Sequence, residues 1–144
     1  NTREILEAAY GLIASYKFAD VDEENIQSPT TPHWSSRHGE KPWIVKCNSN
    51  LDECDFISTH IAELIEVRDS VDEAEENEIQ TELPICVIGF NQNARLYVGM
   101  TRARDRLFLS YHIMAQNGPS VFLSAVSADC SKYTFKNNAL SLVE

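Results

Sequence analysis

A helical pattern that runs directly into an apolar strand pattern, over residues 94–112, constrains the fold of this chain most strongly. Small and apolar side chains cover most of the circumference of the predicted helix, and four apolar residues follow it: Leu107, Phe108, Leu109 and Tyr111. A helix that leads straight into a buried strand is typical of α/β proteins, in which helices cover a sheet. We therefore expect an α/β fold.

One narrow arc of this helix carries Arg95, Gly99 and Arg102, because successive residues are rotated by about 100°. Gly99 in mid-helix costs about 1 kcal/mol relative to alanine, which is consistent with a ligand approaching the backbone between the two arginines. The alternative is that Gly99 only fits against a neighbouring strand. Arg104 is expected on a different side of the helix, near its end.

The residues from Leu96 to Leu107, LYVGMTRARDRL, resemble motif VI of the UvrD/Rep-like superfamily 1 DNA helicases, whose usual form is LYVAMTRAKDRL. The resemblance implies a RecA-like P-loop NTPase fold, and it implies the second, C-terminal RecA-like domain, 2A. In that family the motif faces the nucleotide, and its TRA arginine acts on the γ-phosphate as an arginine finger. That catalytic position falls on Arg102, whose planar guanidinium suits developing phosphoryl charge. Arg95 and Gly99, on the same arc, become candidate nucleotide-binding residues.

The first six residues, NTREIL, resemble those that follow motif IV of the same family, where an NYR triplet precedes S/N-T-x-x-I-L. The triplet itself is absent, so the chain is expected to begin just after a nucleotide-contacting part. The spacing of Asn1 and Glu4 predicts a capping box at the start of a helix. The buried stripe of this helix is predicted from helical spacing: Ile5, Leu6, Ala9, Leu12, Ile13 and Tyr16.

A third segment, ELPICVI at residues 82–88, is similar to the end of motif V, KGLEFPVV. In the family this glutamate contacts the ribose, so the resemblance implies nucleotide binding by Glu82. The His-x-x-Lys-Gly part of motif V is not present, and only Asn91 and Gln92 separate Phe90 from Asn93, where relatives have a long excursion. The chain either carries deletions or joins segments without their intervening loops. Alternatively, Glu82 is the last residue of a solvated acidic run.

Composition favours a folded domain of a cytoplasmic protein. The 144 residues are 43% hydrophobic, enough for one substantial core, and no apolar run reaches membrane-spanning length. Because no charged-then-apolar run precedes the first helix, secretion is not expected. The four cysteines, which lack a CxxC pair, are expected to be buried reduced thiols: Cys47, Cys54, Cys86 and Cys130. The four histidines show no metal-ligand spacing, so no zinc or other metal site is expected.

The formal charge of −10 opposes the approach of nucleic acid, so single-stranded DNA is expected to bind the isolated chain weakly. The acidic residues are concentrated at 20–24 and 69–78, apart from the arginines near residue 102. These runs are predicted to be solvated loops or linkers. The alternative is an interaction tail for a basic partner.

The whole chain, 1–144, is predicted to be a single C-terminal RecA-like helicase domain fragment, with flexible or trimmed segments near 18–41 and 68–82. Strands are predicted at 42–47, 83–89 and 106–112, and helices at about 50–67 and 119–126. The buried stripe of the 50–67 helix is predicted to comprise Cys54, Ile57, Ile61, Leu64 and Ile65. Strands alternating with helices indicate a parallel sheet flanked by helices. Residues 132–144 show no motif, and no function is assigned to them.

The sequence lacks the Walker A motif GxxxxGK[ST], so the resemblance implies that ATP and Mg²⁺ are bound mainly by the N-terminal RecA-like domain of the same helicase. We expect the chain to complete the ATP site and to couple hydrolysis to movement on single-stranded DNA, while being inactive alone. Two alternatives remain. One is a non-catalytic RecA-like protein-interaction module, and the other is a small-anion-binding domain that uses Arg95 and Arg102.

Overall fold

The computed structural model of the protein describes residues 1–15, 35–72, 99–113 and 122–143. Two long helices are α1 (Arg3–Ser15) and α2 (Asn50–Asp72). The strands are β1 (Trp43–Cys47), β2 (Phe108–His112), β3 (Ser131–Lys136) and β4 (Ala139–Leu142). A short helix, Phe122–Val126, continues into a 3₁₀ turn at Ser127–Asp129.

The four described strands form one sheet in the order β2-β1-β3-β4. β1 is parallel to β2 and to β3, with Ile44 opposite Leu109 on one side and Lys132 on the other, and β4 is antiparallel to β3. The predicted α/β class is therefore confirmed as a mixed fold with a mostly parallel sheet flanked by helices. Such a sheet is compatible with a RecA-like fold.

One face of the sheet is covered by α1 and the short helix. Ala8, Ala9 and Leu12 of α1 are almost fully buried, and they form one cluster with Ile44, Leu109, Met100 and Val126. The prediction of a buried stripe is confirmed for Ile5, Ala9 and Leu12. Leu6 and Ile13 are only half-buried, and Tyr16 lies outside the described residues. Burial of this stripe is what fixes α1, since helices of this length gain most of their stability from tertiary packing.

The other face is covered by α2 through only part of the predicted stripe, since Ile57 packs against the buried cluster of this face. Phe56 is 4% exposed and packs with Val45, Cys47 and Phe135, whereas Ile65 is 43% exposed. The prediction for the other stripe residues is also wrong in part: Cys54 is exposed, and Ile57, Ile61 and Leu64 are only half-buried. Aromatic side chains of the sheet account for this face of α2: the His60 ring lies 5.2 Å from Trp43 and 4.4 Å from Phe108, and the Phe56 ring lies 5.6 Å from Phe135.

The predicted capping box of α1 is wrong. The carbonyl of Thr2, not of Asn1, accepts the first helical hydrogen bond, from Leu6 N at 3.2 Å, so the helix begins one residue later. The side chains of Asn1 and Glu4 contact other segments instead. At α2 the cap is Ser49, whose hydroxyl accepts a hydrogen bond from Asp52 N at 3.1 Å.

Residues 132–143, in which no motif was found, form a hairpin. Asn137 and Asn138 connect β3 to β4, and both have positive φ, 52° and 57°. Two such residues match a type I′ turn, which suits the twist of a two-residue hairpin. Asparagine tolerates this conformation better than most other non-glycine residues, which is why Asn-Asn serves here.

Several predicted boundaries shift. The strands begin at Trp43 and Phe108, and α2 continues to Asp72, five residues beyond its predicted end. Residues 35–42 form neither helix nor strand. The predicted strand 83–89 lies outside the described residues, as do residues 119–121 of the predicted last helix. None of the described helices is both long enough and apolar enough to cross a membrane.

Three cysteines are described, and none of the three is in a disulfide. The prediction of buried thiols is confirmed for Cys47 and Cys130, where burial raises the pKa to about 11 and about 12 respectively. It is wrong for Cys54, which is exposed on α2. Cys86 lies outside the described residues.

Candidate functional site

The site is built around a helical segment at residues 99–102 that precedes β2. Met100 is fully buried against α1 and the short helix, and it anchors the segment. Arg102 lies two residues later, about 200° around the helix, and is exposed. The amide of Ala103 donates to the carbonyl of Met100 at 3.2 Å, and this tight turn ends the helix.

The end of the helical segment adjoins the start of α1. Asn1 Nδ2 donates a hydrogen bond to the carbonyl of Thr101 at 2.8 Å, across 100 residues of sequence. The acceptor belongs to the residue immediately before Arg102. The segment that resembles the residues following helicase motif IV and the segment that resembles motif VI therefore meet at this hydrogen bond.

A connecting segment, residues 35–41, lies against both of these elements, and we call it the strap. On the α1 side, Arg3 N donates to the carbonyl of Arg37 at 2.8 Å, and Gly39 N donates to Glu4 Oε2 at 2.9 Å. On the other side, Arg37 forms an ion pair with Asp105, in the turn that follows the helix.

The structure separates the arginines that the sequence groups together. Arg106 is committed to packing, since its guanidinium lies 5.3 Å from the Trp43 ring centroid and 4.9 Å from that of Phe108. It also donates to Glu40 Oε2 at 2.7 Å. Arg104 lies beyond the end of the helix, not on its side as predicted, and approaches Asp105 at 3.8 Å.

Arg102 differs from its neighbours. Among the arginines whose side chains the structure describes, it is the one with no carboxylate partner and no side-chain hydrogen bond. An exposed guanidinium without an internal counter-ion is available to an external anion, and its planar donor fork suits phosphate oxygens.

Of the other predicted nucleotide-binding residues, the structure describes only Gly99. Gly99 is half-buried at the start of the described helical segment, three residues before Arg102. Glu82 and Arg95 lie outside the described residues. Within the four described ranges, no group of three or more histidine, cysteine, aspartate or glutamate side chains is placed to hold a metal ion.

Sequence reasoning missed the residues that hold the site together. Asn1 and Glu4 were interpreted as a local helix cap, and Arg37 and Asp105 were assigned no role. Their contacts span up to 100 residues, so no local pattern signals them. The closest signal was Gly39, a lone glycine in a polar segment.

A second polar cluster lies at the carboxyl ends of β1 and β2. Glu53, in the first turn of α2, accepts hydrogen bonds from Ser110 Oγ and from His112 Nδ1, each at 2.6 Å. Both carboxylate oxygens are thereby used. The cluster ties α2 to β2.

We call the contact between the start of α1, the strap and the end of the helical segment at Arg102 the junction. Glu4 makes this junction sensitive to acid. Its contact with the His38 side chain, followed by hydrogen bonds from its own backbone amide and from Gly39 N, lowers the pKa of Glu4 from 4.5 to about 2. A carboxylate with a depressed pKa in the folded state stabilises that state above pH 4.5, and this stabilisation is lost as the pH falls toward 2.

We therefore expect the urea midpoint of the chain, followed by far-ultraviolet circular dichroism, to decrease between pH 4.5 and pH 2. Glu4→Gln should make that decrease smaller, because glutamine does not titrate. Glu7→Gln is the matched control, since Glu7 makes an exposed contact with Arg3. An equal pH dependence in all three proteins would show that Glu4 does not stabilise the junction.

Comparisons with protein-family models, with curated proteins and with solved structures found no match to this chain.

Proposed function

We propose that the chain is the C-terminal RecA-like domain, 2A, of a cytoplasmic UvrD/Rep-like superfamily 1 DNA helicase. In this proposal it completes the ATP site formed by the N-terminal RecA-like domain of the same protein. Closure of the two domains on ATP would couple hydrolysis to movement along single-stranded DNA.

The observation that carries the proposal is the hydrogen bond from Asn1 to the Thr101 carbonyl, beside an exposed Arg102 without a counter-ion. In the resembled family, motif VI faces the nucleotide, and residues of motif IV contact it. The segment that follows motif IV is therefore expected to lie near motif VI in such a domain. The contact between Asn1 and Thr101, which are 100 residues apart in the chain, supports the proposal.

The chemistry assigned to Arg102 is electrostatic. As the γ-phosphoryl group is transferred, charge develops on its oxygens, and a guanidinium already in place stabilises that charge without reorganisation. The anchor at Met100 and the tight turn at Ala103 restrict where the arginine backbone can lie. Such pre-organisation is what an arginine finger requires.

The residues present fit only part of a nucleotide site. Arg102 suits an anion, whereas the described side chains form no carboxylate or histidine group for Mg²⁺. Because the sequence lacks a Walker A motif, the resemblance leads us to assign ATP and Mg²⁺ mainly to the N-terminal RecA-like domain. Glu82, Gly99 and Arg95 are the proposed further nucleotide contacts of this chain.

Steady-state ATP turnover tests the proposal. The chain alone should hydrolyse ATP far more slowly than about 1 per second, because it lacks a phosphate cradle, whereas the full-length protein should reach ordinary enzyme rates. Turnover by the full-length protein should also rise on addition of single-stranded DNA. If the full-length protein had no ATPase activity but the chain bound inorganic phosphate through Arg102, the small-anion-binding alternative would be correct.

A further inference from the structure

The strap is attached to both sides of the junction through different residues. Arg37, His38 and Gly39 hold it to the first turn of α1, with distances of 2.8, 3.0 and 2.9 Å to Arg3 N, Glu4 Oε1 and Glu4 Oε2. The ion pair of Arg37 with Asp105 holds it to the turn that follows Arg102. The distance between α1 and that turn therefore depends on how closely the strap packs.

Gly39 packs closely against Thr2. A Cβ atom added there would lie 2.6 Å from Thr2 Cγ2, 3.2 Å from Thr2 Cβ and 3.5 Å from the Asp105 carbonyl oxygen. Thr2 is 3% exposed and β-branched, so its side chain has little freedom to move away. The contact between α1 and the turn at Asp105 therefore leaves no room for a side chain at residue 39, which explains the glycine.

We infer that Gly39 is a positioning residue for Arg102, an inference that rests on the proposed function. Asn1 and Thr101 are bonded across the same junction, and Arg102 is the next residue along the chain. A side chain at residue 39 would force the strap away from Thr2 by roughly 1 Å, given ordinary carbon–carbon contact distances. Misplacement on this scale costs about 10²-fold in rate when the displaced group acts on the reacting atoms.

The test is Gly39→Ala in the full-length protein, with steady-state ATP turnover as the readout. We expect kcat to fall about 10- to 100-fold, while KM for ATP changes less than about threefold, because ATP is held mainly by the other domain. Gly11→Ala is the matched control. A Cβ at Gly11 meets only Asp129 Oδ2, at 3.2 Å, and the Ala125 carbonyl oxygen, at 3.6 Å, so kcat should stay within about twofold of the parent.

Rescue separates positioning from a general loss of folding. Thr2→Ser removes Cγ2, the atom closest to the added Cβ, so Gly39→Ala/Thr2→Ser should recover kcat to within about threefold of the parent. Circular dichroism of each variant gives the folded fraction to which kcat is normalised. A double variant that stays as slow as Gly39→Ala, although folded, would overturn the inference.

The remaining outcomes are also decisive. If Gly39→Ala keeps the parental kcat while Arg102→Ala loses it, the inference fails and the proposed function stands. If Arg102→Ala keeps the parental kcat, the proposed function itself fails.

Should Gly39→Ala not fold, Arg37→Gln decides the inference, because loss of an exposed ion pair leaves the fold intact. It should lower kcat about threefold, and a parental kcat would overturn the inference.

Discussion

Replacement of Arg102 by alanine in the full-length protein is expected to lower kcat for ATP hydrolysis about 10³-fold or more. Arg102 is exposed and lies beside Thr101, whose carbonyl is bonded to Asn1, and it makes no ion pair among the described residues. Loss of an arginine finger removes stabilisation that exists mainly in the transition state, and such losses are of this size. Folding should be preserved, because an exposed arginine contributes less than about 0.5 kcal/mol.

Arg104→Ala is the control for this prediction. Arg104 is also exposed, but it lies beyond the end of the helical segment, where it approaches Asp105 at 3.8 Å. Its loss should change kcat much less than the loss of Arg102, since exposed ion pairs have small effects. Equal losses in the two variants would indicate that general positive charge, and not the position of Arg102, promotes turnover.

Phe56→Ala is expected to destabilise the chain by about 3 to 5 kcal/mol in urea unfolding followed by circular dichroism. Phe56 is 4% exposed, and its ring lies 5.4 Å from that of His60 and 5.6 Å from that of Phe135. Truncation removes these contacts and leaves a cavity between α2 and the sheet. A loss of this size is a large fraction of the 5–15 kcal/mol typical of a domain.

Ile65→Ala, on the same helix, should cost less than about 1 kcal/mol, because Ile65 is 43% exposed. The pair distinguishes the observed buried face of α2 from the face that helical periodicity predicts. If Ile65→Ala were as destabilising as Phe56→Ala, the packing of α2 described above would be wrong.

The contrast between α1 and α2 shows how far sequence determines packing. The buried residues Ile5, Ala9 and Leu12 of α1 were predictable because apolar residues recur there at helical spacing. In α2 the periodic isoleucines compete with Phe56 and His60, and the outcome depends on aromatic residues from three strands. Those strands are distant in sequence, so periodicity within α2 cannot predict which face of the helix is buried.

The candidate site also combines residues that a local sequence pattern indicates with residues that only long-range contacts reveal. The assignment of Arg102 rests on a local motif, and it stays a prediction. The link between Asn1 and Thr101 and the role proposed for Gly39 depend on the close approach of segments 37 to 100 residues apart. Reasoning from local sequence therefore assigned Asn1 and Glu4 to a helix cap, because that was their only local use.

The most direct measurement of the central claim is a structure of the full-length protein with ADP, Mg²⁺ and aluminium fluoride, a mimic of the transferred phosphoryl group. The proposal predicts that the Arg102 guanidinium lies about 3 Å from the fluoride, within hydrogen-bond distance, while Thr101 remains bonded to Asn1. An Arg102 side chain directed into solvent, with the fluoride contacted by other residues, would contradict the proposal.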